Sequence, residues 1–466
     1  MKAPFFILAL TAGCFPQEGN VGNTQPGPDA GPAPAQVFGA VRWAIKFHSD
    51  ADDRADVVAI DSAHNVIATG YFNHTLDFGS GPIHTDNPWG TRFLTKRAAG
   101  DGGEIWTKMY GLGAAGSGVD FTKVVVGSDD NLIVVGSYNV VGTDLLDFEG
   151  TMLSGRGAYI ATFASSGALL SFHPLAADPE TELMTTRSIA LAPDGTVYIA
   201  GKLRGTLHYP GGSVTGSTEN DDSGAAVLAA YDSTGAILWA RAFTAWWASG
   251  ADVKVASDGD LVFSGAFEGP SGTFGGTPLV AQTPYAAFLA RFSSSGDLRW
   301  RRLVGGGADG IGNGYGGGLD VRANGTIQMS FQESVGANRL LTFDGDGATV
   351  SSTVSVQSTP GANIATFFSD TDQMILAGRP SDETTISLGG TVLAAGVPFI
   401  AALDPGGHLA NLVTYQCNVG ASSVVMRQGF LAFGGATVGT TDFGAGPDTF
   451  DGVYEYDGYL VLMDPP

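Results

Sequence analysis

Two cysteines are all that this 466-residue chain contains, Cys14 and Cys417. That excludes a disulfide framework. Cys417 sits in "VTYQCNV" with no neighbouring base to activate a thiol, so it reads as a packed structural residue. Basic residues are equally scarce: 23 Lys plus Arg stand against 46 Asp plus Glu, for a net charge of −23. No basic stripe is available to a nucleic acid or to an anionic lipid surface. No stretch carries a helical period. H-E-x-x-H, paired Cys/His metal spacing and a G-x-S-x-G elbow are all missing, which removes the zinc-protease and serine-hydrolase classes those motifs mark. No metal site and no cofactor is expected.

What is present is glycine, 69 of them, and repetition. From Val57 the chain reads "VVAIDSAHNVIATGYF", and the phrase returns as "KVVVGSDDNLIVVGSY", "SIALAPDGTVYIAGKL", "VKVASDGDLVFSGAF", "LDVRANGTIQMSF", "ATFFSDTDQMILAG" and "SVVMRQGFLAFGG". Gly70, Gly136, Gly201 and Gly265 end the second apolar stretch of the first four units; Phe331, Gly378 and Gly434 follow, at intervals of 66, 65, 64, 66, 47 and 56 residues. A second hairpin comes after each, and in three units Trp106, Trp239 and Trp300 lie four residues beyond a turn glycine, Gly102, Gly235 and Gly296. Each unit thus holds four short strands, A to D. Their A–B turns carry pairs such as Asp194-Gly195, which read as two-residue hairpin turns with positive φ. Four-stranded units repeating at this spacing predict an all-β, seven-bladed β-propeller over residues 37–466.

The ends give a separate indication. "FGAVRWAIKF" places Trp43 four residues after Gly39, a D-strand signature with no C strand before it, and the chain closes on "DGYLVLMDPP", a C strand with no D strand after it. The expectation is that the N-terminal strand completes the last blade and leaves no open edge.

The "D-x-x-G-x-L-x-W" hairpin, the "G-T-V-Y-I-A-G" strand and the following "LDFGSG" at Leu76, "LDFEG" at Leu146 and "TDFGAG" at Thr441 resemble the bacterial seven-bladed β-propeller repeat family of the SBBP type. The fifth unit departs from it by passing from Phe331 to "ANRLLTF" without the excursion. Most members of that family have no defined biochemical role, so the resemblance brings over no catalytic residue.

The first residues, "MKAPFFILALTAGC", join one Lys, an apolar run too short to span a bilayer and small residues. Residues 1–13 read as a signal peptide. "TAGC" looks like a lipobox, with Cys14 lipidated and residues 14–36 a Pro- and Gly-rich tether. Thr11 departs from the commonest lipobox residue, and the plain alternative is an ordinary signal peptide with an incidental cysteine. Phe15 rather than Asp after the cysteine favours the outer membrane, so a bacterial cell-envelope address is expected, with membrane contact through the lipid alone.

In a propeller the D–A and B–C connections emerge on one face and the tight A–B and C–D turns on the other. The first set is long and varied here, and variable loops on a rigid scaffold are where binding sites sit. The candidates are Trp246 and Trp247, an adjacent pair able to stack on a sugar or a peptide side chain; Tyr315, within reach of the channel mouth; and Asp120, Asp252 and Asp320, at the beginnings of channel-lining A strands. The plainer reading is that one of the two packs between blades and the other is incidental. Asp50, Asp52, Asp53 and Asp56 crowd one loop, but Arg54 stands where a calcium loop needs a ligand, so they read as solvated acids. His64 falls in an A–B turn, on the face opposite the loops of His74 and His84. The reading reached is a monomeric, non-enzymatic binding module for a protein or carbohydrate ligand. The alternative is an extracytoplasmic glycan lyase or hydrolase whose residues, one per blade, meet at the channel mouth.

Overall fold

The computed structural model describes residues 38–465 apart from residues 48, 50, 88–89, 112–116, 141–144, 176–182, 220–222, 307–313, 334–336, 358–362, 369–372, 380–384, 389–390, 405–407, 415–419, 438–439, 442, 444–447 and 450–455. Cys14 and Cys417 lie outside the described residues. Gln36–Pro466 form one compact unit.

Short β-branched and aromatic stretches separated by polar turns fold as antiparallel meanders, each strand bonded to the next in sequence. The first blade runs Arg54–Ile60, Val66–Phe72, Thr91–Arg97 and Glu104–Tyr110. Six more repeat that order, with A strands Gly118–Val126, Leu183–Leu191, Trp247–Val255, Gly314–Val321, Asn363–Phe368 and Gly420–Arg427. The seventh takes its outermost strand from the other end of the chain. Val41–Phe47 pairs antiparallel with Asp457–Met463, Trp43 opposite Leu462 and Phe47 opposite Gly458. The architecture is the seven-bladed propeller expected, closed by the N-terminal strand.

The repeating glycine has a steric cause. Gly70, Gly136, Gly201 and Gly265 each pair with the A-strand residue just before a β-bulge, at Ala55/Val57, Phe121/Lys123, Thr186/Ser188 and Gly250/Asp252, while Gly434 pairs with Ser423, just after the bulge at Ala421/Ser423. The bulge turns a carbonyl onto the glycine: a Cβ on Gly136 would lie 1.8 Å from the Asp120 oxygen, and one on Gly70 1.8 Å from the Arg54 oxygen. No larger residue fits that approach. Phe331 breaks the series without breaking the rule, because its partner across the strand is Gly316; the glycine has moved to the A strand. In the sixth blade, where Gly378 faces Ile364, the A–B pair has no bulge.

The turns differ from expectation. Ala192 N bonds Thr196 O at 2.9 Å and Gly195 N bonds Ala192 O at 3.0 Å, which encloses three residues rather than two. Only Gly195 takes positive φ, at 86°, while Asp194 Oδ1 accepts the Thr196 amide at 2.9 Å. The aspartate is a turn cap, not a second left-handed residue.

The B–C excursions also have a structural role. In the first, Thr75–Asp77 and Pro82–His84 form a small hairpin whose Phe78 packs 5.5 Å from Phe47 of the preceding blade. Phe148 stacks 4.6 Å from Tyr110, and Phe274 meets Phe243 at 5.0 Å, in the same way. In the sixth, Leu388 and Ser387 extend the fifth blade's sheet by pairing with Val356 and Gln357. In the first, second, fourth and sixth blades the B–C excursion therefore joins its blade to the one before it.

Candidate functional site

The A strands line a central cavity of about 880 Å³. Its wall runs from Trp247, at the start of the fourth blade's A strand, to Gln428, in the last blade's A–B turn, and so spans the full depth from loop face to turn face.

Of the six expected ligand-binding residues, Trp247 and Asp252 line this cavity. Asp252 is braced on all sides: its carboxylate accepts Ser188 Oγ at 2.5 Å, Val253 N at 2.9 Å and Leu319 N at 2.9 Å, with Lys254 Nζ 3.5 Å away. These contacts tie the A strands of the third, fourth and fifth blades. Ser423 does a comparable job at the seam, accepting Val58 N at 3.2 Å. A side chain from one blade thereby satisfies an amide on its neighbour.

Trp246 and Trp247 are not one continuous platform. Trp246 is 52% exposed, while Trp247 is half-buried with Lys202 Nζ 5.9 Å from its ring centre. The D–A connection that carries them is pinned: Thr244 and Thr273 exchange both backbone bonds at 2.9 Å, and Ala248 N reaches Gly224 O at 3.1 Å. Among the described residues, Trp246, Asp120 and Asp320 do not line the cavity. Asp120 pairs instead with Arg92 at 2.5 Å, and Asp320 is half-buried opposite Gln328. Tyr315 pairs through its backbone with Gln332.

The acidic D–A loop is not a set of solvated acids. Asp53 is fully buried and accepts Ser49 N at 2.6 Å, Ser49 Oγ at 2.9 Å and Asn73 N at 3.3 Å. Burial raises its carboxyl to about 7; the Ser49 and Asn73 bonds oppose that, and Asp457 nearby adds to it. Asp52 Oδ1 caps Tyr456 N at 2.9 Å and Asp53 N bonds Tyr456 O at 2.6 Å, so the loop holds the seam between last and first blades. Asp56 pairs with Arg54 at 2.7 Å, and burial raises its carboxyl as well. Asp50 lies outside the described residues.

Of the described histidines, His64 and His173 are half-buried, while His74, His84, His208 and His408 are exposed. His64 stacks on Phe430 at 4.1 Å with Nε2 2.8 Å from Gln428 Oε1, and His84 bonds Thr75 and Asp86. The channel residues that sequence reasoning missed are basic: Lys123, Arg187, Lys254 and Arg427 all line the cavity. Their signal was Lys or Arg inside the A-strand phrases "FTKVVV", "TTRSIA", "DVKV" and "VVMRQG".

No protein-family model matches the chain, and no curated protein matches it. Among solved structures, it is similar to a catalytically inactive virginiamycin B lyase from Staphylococcus aureus with quinupristin, at 12% identity and TM-score 0.45, covering 90% of this chain and 99% of that one. A protein of unknown function from Dyadobacter fermentans follows at 9% identity and TM-score 0.40, covering 93% of this chain and 100% of that one. The Trypanosoma rangeli sialidase in complex with the inhibitor DANA is similar at 10% identity and TM-score 0.39, over 74% of this chain and 55% of that one.

Proposed function

We propose that this propeller is a non-enzymatic binding module of the bacterial cell envelope, held at the outer membrane through lipid on Cys14. It engages a protein or carbohydrate ligand on its long-loop face, at the D–A connection of the third and fourth blades. The observation that carries this reading is Trp246: an indole 52% exposed on a connection held at both ends by backbone hydrogen bonds. An exposed aromatic on a pinned loop has little conformational freedom left to lose on binding, which favours stacking on a sugar or a peptide side chain. Trp247 and Lys202 supply an aromatic and a cationic group beside it.

The test is a thermal-shift screen of the purified chain against glycans, peptides and divalent cations. The expected result is a saturable stabilisation by a glycan or peptide that is lost in Trp246→Ala and retained in Trp106→Phe, a substitution away from that face. A stabilisation indifferent to Trp246, or one given by divalent cations alone, would overturn the reading.

A further inference from the structure

The channel reverses the charge balance of the chain. Acidic residues outnumber basic ones 46 to 23 overall, yet among the described residues lining the cavity there are four cations, Lys123, Arg187, Lys254 and Arg427, and one carboxylate, Asp252. That carboxylate already accepts three hydrogen bonds besides its contact with Lys254. Arg427 donates to the Ile60 carbonyl at 2.8 Å, which fixes its guanidinium at the wall without neutralising it. Lys123 is held below the usual lysine range by burial first and by Lys254 second, with Asp252 opposing.

The bulges set the depth of each charge. Arg187 is the extra residue of the third blade's bulge, and Lys123 follows the bulge in the second, so both stand near mid-channel. Lys254 lies two residues beyond its own bulge's end at Asp252, and Arg427 four beyond Ser423. At a rise of roughly 3.3 Å per residue, the cations descend toward the turn face over roughly 13 Å. Between them the wall carries Val125 and Val425 alongside Ser188, Ser249 and Ser423. A cleft in which cations outnumber carboxylates four to one attracts anions that enter it.

We propose that the channel is a binding site for a linear polyanion, a ligand carrying two or more oxyanion groups of the phosphate or sulfate kind in a row. One such group meets Arg187 and Lys123, and the next meets Lys254, with Arg427 closing the passage at the turn face. A single small anion would engage only one level of this ladder. The cavity of about 880 Å³ holds a longer one. This site does not depend on the loop-face reading, since Trp246 takes no part in it.

The test is calorimetric titration of the full chain with tripolyphosphate and, separately, with inorganic phosphate, at low and at physiological ionic strength. The expected result is saturable binding of tripolyphosphate, tighter than phosphate by about tenfold or more and weakened by salt. Arg187→Gln and Lys254→Gln are each expected to lower the affinity by about tenfold, as loss of one charged contact does, while Trp246→Ala leaves it unchanged. Arg187 is exposed, so its substitution leaves the core intact. No saturable heat at low salt would overturn the proposal. So would equal affinity for phosphate and tripolyphosphate, or undiminished binding in the Arg187→Gln/Lys254→Gln variant.

Discussion

Trp239 lies flat against Gly296 of the following blade. Its Nε1 donates to the Ser294 carbonyl at 2.9 Å, and a Cβ on Gly296 would sit 2.7 Å from the indole Cδ2. The same lock recurs where Trp43 meets Ala99 and Gly102, Trp106 meets Ser165 and Gly167, and Trp300 meets Gly345 and Gly347. At the corresponding strand position the second blade has Ser171, and there a cleft of about 620 Å³ opens against the third blade, with His173 covering Gly235.

Trp239→Ala is expected to cost about 3–5 kcal/mol, the usual loss for a buried Trp. Gly296→Ala carries two penalties, its φ of 83° and the indole above it. In the Trp239→Ala background only the backbone penalty of about 1–2 kcal/mol remains. A double-mutant cycle by urea unfolding is therefore expected to show the two changes strongly less than additive. Additive costs would mean that the glycine serves its own turn alone.

That lock shows how much of the molecule was legible in its sequence. The glycine and the tryptophan four residues later were visible as a pair within one hairpin, and with the seven-fold A–B phrase and the two chain ends they gave strand order, blade number and ring closure. Their physical partnership runs between blades: Trp239 belongs to Gly296, not to Gly235. The site was harder to see for a related reason. Which A-strand side chains face the channel depends on the pleat, and each bulge shifts it by one residue. Lys254 and Arg187 are placed by bulges at Gly250/Asp252 and Thr186/Ser188 that no local pattern announces. The burial of Asp53 is equally non-local, since Tyr456 and Asp457 come from the far end of the chain.

Asp53 gives the seam a pH dependence. Its carboxyl is raised from 3.8 to about 7 by burial, so the folded state holds a proton that the unfolded chain has already released over that interval. Stability from this residue is present in full below about pH 4, declines as pH rises toward 7, and is flat above; the span is up to about 4 kcal/mol. Asn mimics the protonated acid. Asp53→Asn is expected to match the parent near pH 4 and to exceed it at pH 8, by urea unfolding at both. A variant less stable than the parent at pH 8 would show that Asp53 is held as a carboxylate.

One closed ring carries both the loop face and the channel, with the Val41–Phe47 strand as its clasp. That strand covers Leu460 and Leu462, both fully buried, and seals the free edge of Asp457–Met463. The direct measurement is urea unfolding of the chain with and without residues 37–48, compared in midpoint and slope. The intact chain is expected to unfold in a cooperative transition and the shortened one to have lost it. An unchanged midpoint and slope in the shortened chain would contradict ring closure by this strand.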